Sequence, residues 1–218
     1  MTESRDNLKK TRDTHSPKKI VRHLFPTYEV GSLPKLPARV KAITGAFCSD
    51  LEIQGVQILG ARYGVPHEEI TTLLHQQKRE QRTLSAEERK KMINFNALLN
   101  LRIQEKSGID FVYDGEARRS EMYRHVAQQV EGFENLPEMI RSRGPDSYRK
   151  SVCVAEPRLK EGALDTLVEE EFAFVNTSAV HQVKVPLDDP YMLAVMSDNK
   201  YYTRIAKQKY SDRKKNFG

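Results

Sequence analysis

Glu116 ends the run Gly108-Ile109-Asp110-Phe111-Val112-Tyr113-Asp114-Gly115-Glu116. A carboxylate in that setting is a fixed anion that can receive a cationic group or cap a helix. The residues before it, Ile109 to Tyr113, are short-run, mostly apolar and β-prone, as a strand buried between helices should be. Asp114 and Glu116 are therefore expected at the C-terminal end of a strand, where α/β barrels place their chemistry. On spacing alone the helix-cap role for Glu116 is the simpler one. Arg118 and Arg119 follow closely enough to balance Asp114 and Glu116 as ion pairs, or to face a ligand. The two cysteines, Cys48 and Cys153, stand more than a hundred positions apart and specify neither a disulfide framework nor a metal knuckle. Cys153, between Val152 and Val154, is expected to be a buried, inert thiol. His125 and His181 are expected to be structural.

The elements that must position Glu116 can be read from local signals. Ser85-Ala86-Glu87-Glu88 is a capping-box pattern that starts a helix. Met92, Phe95, Leu99 and Ile103 recur on one face of it, with Lys90, Lys91, Asn100 and Arg102 elsewhere around it, and Gly108 stops it. Upstream, Leu24 to Val30 is β-prone, Gly31-Ser32-Leu33-Pro34 is a loop, and Lys35 to Ala46 resumes a helical pattern through Leu36, Val40 and Ile43. Residues 47–84 yield one helix, Pro66 to Gln81, expected as an extra layer on the flank. Downstream, helices are expected over Ala117 to Gln129, over Pro137 to Arg143 with Gly144-Pro145 closing it, and over Leu164 to Val175. Tyr148 to Ala155 is β-prone, with a break at Glu156-Pro157 and a hairpin arm at Arg158 to Lys160. His181 to Pro186 is a further strand. Strands alternating with helices predict a parallel α/β architecture.

Composition narrows the function classes. The chain has 218 residues and a net charge of +6. Residues 1–20 and 200–218 carry nine surplus positive charges between them, so the body between nets −3. A basic face on the folded body, the footprint of a nucleic-acid binder, is therefore not expected. Residues 1–20 read as a flexible basic leader, 21–199 as one partial barrel domain, and 200–218 as a basic C-terminal tail or the start of the next helix. No apolar stretch reaches transmembrane length and no signal-peptide pattern opens the chain, which makes a cytoplasmic protein without membrane partners the expectation.

Three strand ends share a recurrent pattern: Phe25-Pro26-Thr27 with Val30-Gly31-Ser32-Leu33-Pro34; Gly108-Ile109-Asp110 with Asp114-Gly115-Glu116, Arg118 and Met122; and Val183-Lys184-Val185-Pro186-Leu187 with Pro190-Tyr191. Together they resemble the catalytic domain of cobalamin-independent methionine synthase over about residues 24 to 195, and Tyr148-Arg149-Lys150 looks closest to the short core form of that family. The resemblance implies a (β/α)8 barrel of the TIM type. It also implies transfer of a methyl group, from a methylated folate or a methylcorrinoid, to the zinc-activated thiol of homocysteine. It places the substrate carboxylate on the Gly31-Ser32 loop and its ammonium on Glu116, with Arg149 and Lys150 as candidates for a folate's anionic tail.

The family's zinc ligands, a His-x-Cys pair with a Glu and a distant Cys, fall in the second half of the barrel, and this chain has no His-x-Cys. The resemblance therefore implies that only the first half of the barrel is present. Leu187-Asp188-Asp189-Pro190 also replaces the family's Leu-Thr-Gly-Pro. The alternatives are an inert split half-barrel that needs a C-terminal partner or self-associates, and a related thiol methyltransferase or uroporphyrinogen-decarboxylase-like barrel with another substrate.

Overall fold

The computed structural model describes residues 24–119, 122–141, 147–163 and 169–216, with side chains over 24–119, 123–134, 151–163 and 169–208. The expectations for the 1–20 leader, for Gly144-Pro145 and for most of the start of the 164–175 helix lie outside these residues. The chain forms two compact units, Met1–Arg118 with Phe172–Lys184, and Arg119–Glu171 with Val185–Gly218.

The first unit opens with four helices: α1 (Pro37–Thr44), α2 (Asp50–Tyr63), α3 (Glu68–Glu80) and α4 (Ala86–Lys106). Helix α4 starts where the sequence places it, with the Ser85 hydroxyl accepting from the Glu88 N–H and the Glu88 carboxylate reaching back to the Ser85 N–H at 2.8 Å. Helix α2 begins with the same device, Ser49 and Glu52. Residues 47–84 therefore hold two helices rather than the single one expected. Ile53 and Val56 of α2, Leu73 and Leu74 of α3, and Met92, Phe95 and Leu99 of α4 meet in one buried cluster. Burying such side chains, at about 2 kcal/mol each, holds the helices together.

Strand β1 (Phe111–Val112) follows α4 and pairs in parallel with β4 (Gln182–Val183), in register Phe111↔Gln182 and Val112↔Val183. On the other side of β1, Tyr28 makes a parallel bridge to Phe111. The three strand ends singled out in the sequence thus lie side by side in chain order. The expected strand Leu24 to Val30 is reduced to that bridge, because Pro26 has no N–H to give a ladder. Helix α6 (Glu170–Ser178) sets Val175 against Leu101 and Val112 in a second small core.

The second unit departs from the parallel expectation. After α5 (Met122–Ala127), strand β2 (Val130–Arg141) runs antiparallel to β3 (Ser147–Leu159). The expected helix Pro137 to Arg143 is thus a strand as far as Arg141, and the expected hairpin arm at Arg158 is the end of β3, paired with Glu131 of β2. The register shifts between Asn135 and Met139, where Pro137 sits, and between Glu131 and Phe133. At the latter, Gly132 has φ +83, and a Cβ there would lie 2.7 Å from the Ala155 carbonyl oxygen, so the bulge requires glycine. Strand β5 (Asp198–Asn199) joins β3 in parallel. Helices α7 (Pro190–Met196) and α8 (Lys200–Asn216) flank it in sequence, and residues 200–216 are helical.

Candidate functional site

The end of β1 is built from below by α4. Asn96, Asn100 and Gln104 lie one helical turn apart on a buried stripe, Asn100 among them although its polarity suggested an outer face. The Asn96 side-chain oxygen accepts from the Leu36 N–H at 3.0 Å, Asn100 donates to the Asp114 carbonyl at 2.9 Å, and Gln104 donates to the Tyr113 carbonyl at 2.7 Å. Buried amides used in this way satisfy backbone groups that a short strand leaves unpaired.

Above that stripe the turn closes on itself. The Asp114 carboxylate, fully buried, accepts from the Glu116 N–H at 2.8 Å and from the Arg118 N–H at 3.3 Å. Gly115 has φ +69, and the Leu33 N–H donates to its carbonyl at 3.1 Å. A Cβ on Gly115 would lie 2.6 Å from both the Leu33 Cβ and the Asn100 amide nitrogen. Close approach of the two loops thus demands glycine. Glu116 also sits at positive φ, +59, although it is not a glycine. Its side chain is only 3% exposed, and the Ser32 hydroxyl donates to its carboxylate. Beside this pair the Tyr113 hydroxyl donates to the Gly31 carbonyl.

The charges around the pair are arranged from three strand ends. Lys184, just past β4, points its ammonium at the rings of Tyr28 and Tyr113, 4.7 and 4.5 Å from their centroids, and donates to the Glu29 carbonyl. Burial lowers the Lys184 pKa while Glu29 and Glu116 act to raise it. Burial, with Glu116, Glu29 and Asp114 nearby, pushes the Tyr113 phenol up to about 12. Arg39 of α1 donates to the Ala117 carbonyl; its burial lowers its pKa and Asp114 opposes that. Neither Lys184 nor Arg39 was picked out from the sequence. The one available signal was the position of Lys184 within the third strand-end pattern.

The structure brings Ser32 and Glu116 into contact and puts Gly31 next to them, across a gap of 84 residues. Glu116 lies in a turn over residues 115–118, ahead of the described part of α5, Met122–Ala127. Glu116 is therefore not in the first turn of that helix. Arg118 donates to Asn94 and stacks over the Phe174 ring at 4.4 Å. In the second unit, Arg119 makes a bidentate pair with Glu171 at 2.9 and 3.1 Å, both side chains nearly fully buried. Asp189 N-caps α7, accepting from the Met192 N–H at 2.9 Å, which gives the Asp in the departed Leu187-Asp188-Asp189-Pro190 pattern a local role. His181 engages the Ile109 carbonyl through Nδ1 at 2.6 Å. Arg149 and Lys150 lie on β3, Arg149 paired through its backbone with Met139, and their side chains fall outside the described ones.

A metal centre needs converging donors, and among the described residues these are not gathered. Cys48 contacts the Ala38 carbonyl at 3.6 Å and Cys153 the Ala155 carbonyl at 3.2 Å, and burial pushes both thiols up, away from the thiolate form that binds zinc. Among the described residues no group of three His, Cys, Asp or Glu side chains converges on one point. The described donors are not arranged as a zinc site. Among the same residues no helix is long and apolar enough to cross a membrane.

A family model described as the cobalamin-independent synthase catalytic domain matches residues 66–184, a span that includes Glu116 and Lys184 but not Gly31 and Ser32. The chain is 34% identical over 125 residues to the methionine synthase of Pyrococcus abyssi, covering 57% of this chain and 36% of that protein. It is 35% identical over 104 residues to the methionine synthase of Thermococcus kodakarensis, covering 47% and 30%. A solved structure of a B12-independent methionine synthase from Shewanella sp. W3-18-1, in complex with selenomethionine, superposes with a TM-score of 0.43 at 19% identity, covering 55% of this chain and 34% of that one. The chain spans about a third of the length of these relatives.

Proposed function

The chain belongs to the cobalamin-independent synthase catalytic-domain family, and on that premise we propose that it serves a methionine-synthase-like methyl transfer by holding the amino-acid end of homocysteine. Glu116 receives the substrate ammonium, and the Gly31-Ser32 loop receives its carboxylate through backbone N–H groups. The observation that carries this is the contact between the Ser32 hydroxyl and the Glu116 carboxylate, which joins the two loops and keeps a nearly buried anion beside an accessible loop. An anion held there is prepaid in desolvation, and a zwitterion is the ligand that answers it.

The three adjacent parallel strand ends support the opening portion of a (β/α)8 barrel. The methyl donor is a methylated folate or a methylcorrinoid, and Arg149 and Lys150 are proposed to meet the anionic tail of the former. Zinc has no fitting donor set among the described residues, so no chemical step is assigned to it here.

The test is calorimetry of L-homocysteine binding to the full chain. Glu116→Ala removes a charged hydrogen-bond acceptor worth about 2 kcal/mol, or roughly 30-fold in affinity. Glu116→Gln keeps the shape, loses the charge and should weaken binding nearly as much. Unchanged affinity in both variants would overturn the assignment.

A further inference from the structure

Lys184 stands out because the proposed binding does not use it, yet it reaches all three strand ends. It leaves β4, crosses the face of Tyr113 at the end of β1, and lands on the backbone of Glu29 and the ring of Tyr28, beyond the first bridge. The segment it reaches is otherwise thinly held. Up to Tyr28, which bridges to Phe111, the chain is fixed by Thr27, whose N–H and hydroxyl each donate to the Asp110 carboxylate at 2.9 Å, and whose carbonyl accepts from the Asp110 and Phe111 N–H groups. From Leu33 it is fixed again by the bond to the Gly115 carbonyl. Between these points lie Glu29 to Ser32. Val30 is 81% exposed, and Gly31 is at φ +80 with open space around its Cα. Packing cannot order such a stretch, so side-chain hydrogen bonds must.

We infer that Lys184 is a positioning residue for the amino-acid site: its ammonium, seated between Tyr28 and Tyr113 and bonded to the Glu29 carbonyl, holds the Gly31-Ser32 loop over Glu116. This rests on the proposed substrate role of that loop, but its structural half can be tested without any ligand. An ammonium over two aromatic faces is attracted by both, and half-burial strengthens the attraction. Because Tyr113 also donates to the Gly31 carbonyl, the ammonium and the phenol grip the loop at two successive points. Loss of the first should loosen the second.

The experiment uses the full chain and two readouts. Amide hydrogen exchange in the ligand-free protein should rise at least tenfold across residues 29–32 in Lys184→Met, with α4 unchanged. The affinity for L-homocysteine should fall about tenfold in the same variant. Lys184→Arg, which can still donate to the carbonyl and stack on the rings, should restore both. Tyr28→Leu, at a residue 58% exposed and outside the buried core, removes one face of the cage and should give an intermediate effect in both readouts. Unchanged exchange over 29–32 in Lys184→Met and in Tyr28→Leu would overturn the inference. So would tighter homocysteine binding in Lys184→Met, since the lysine would then be a competitor of the substrate ammonium for Glu116. A wild-type chain that binds no amino acid would overturn the substrate reading, while the exchange data would still decide what Lys184 does to the loop.

Discussion

The two units solve the problem of burial in different ways. The first gathers long aliphatic and aromatic side chains from four helices, among them Ile53, Leu74, Met92, Phe95 and Leu99, and ends its helices with capping boxes and left-handed glycines. In the second, the buried apolar side chains among those described are Ala127, Val130, Val152, Cys153 and Ala163. It leaves a cavity of about 250 Å³ lined by residues such as Phe133, Pro157, Leu193 and Tyr202, and at its start it holds a buried ion pair, Arg119 with Glu171. A dense core can impose a strained, polar loop cluster at its edge, because the packing around it does not yield. The residues expected to hold the substrate, Gly31, Ser32 and Glu116, all lie in the first unit.

The sharpest way to break this contrast is in the second unit. Glu171→Ala removes the carboxylate that faces the buried Arg119 guanidinium, leaving its bond to the Pro186 carbonyl, and should cost about 4 kcal/mol in urea denaturation, with raised hydrogen exchange over residues 122–134; a loss below about 1 kcal/mol would mean that the pair carries little. In the first unit, Leu99→Ala opens a hole in the helical core and should cost about 3 kcal/mol, with increased exchange in α2 and α4. Smaller is the effect of Tyr113→Phe, which deletes the bond to Gly31 and should cost about 1 kcal/mol at neutral pH. It also has a pH signature. The folded phenol titrates at about 12, above its usual 10.0. Its stabilising contribution is therefore whole below pH 10 and is lost as the pH rises towards 12. The stability difference between wild type and Tyr113→Phe should shrink across that window, and a difference that stays flat would show that the phenol is not held neutral. Smallest is Ser49→Ala, which removes a cap from α2 and should cost about 1 kcal/mol or less, seen as fraying at Asp50 to Ile53 alone.

What the sequence made legible follows from how local each signal is. The start of α4 could be placed because Ser85 and Glu88 satisfy each other within four residues. The same pattern at Ser49 and Glu52 marks the start of α2 as locally as Ser85 and Glu88 mark that of α4. Strand β2 could not be found in this way: its extended form comes from pairing with β3, and the Pro-Glu-Met-Ile stretch at residues 137–140 has no local preference strong enough to oppose a helix. Arg119 could be read as balancing nearby carboxylates or as facing a ligand, and the sequence carried no signal for its pairing with Glu171, 52 residues away. The candidate site shows the same division. Glu116 was legible from its place at a strand end and Gly31 and Ser32 through the spaced family pattern, whereas Asn96, Asn100, Gln104 and Lys184 were not singled out, because what they do is bond to backbone from other segments.

Glu116 holds a left-handed backbone that a residue with a Cβ adopts at a cost of roughly 1–3 kcal/mol. Directed evolution for heat resistance, blind to ligand, would therefore be drawn to this codon early and would exchange glutamate for glycine or asparagine. The enriched clones should melt higher and recognise amino acids worse. If Glu116 holds the substrate ammonium as proposed, position 116 is a place where thermostability and recognition trade directly against each other, and library designs that reward only survival on heating should keep it fixed.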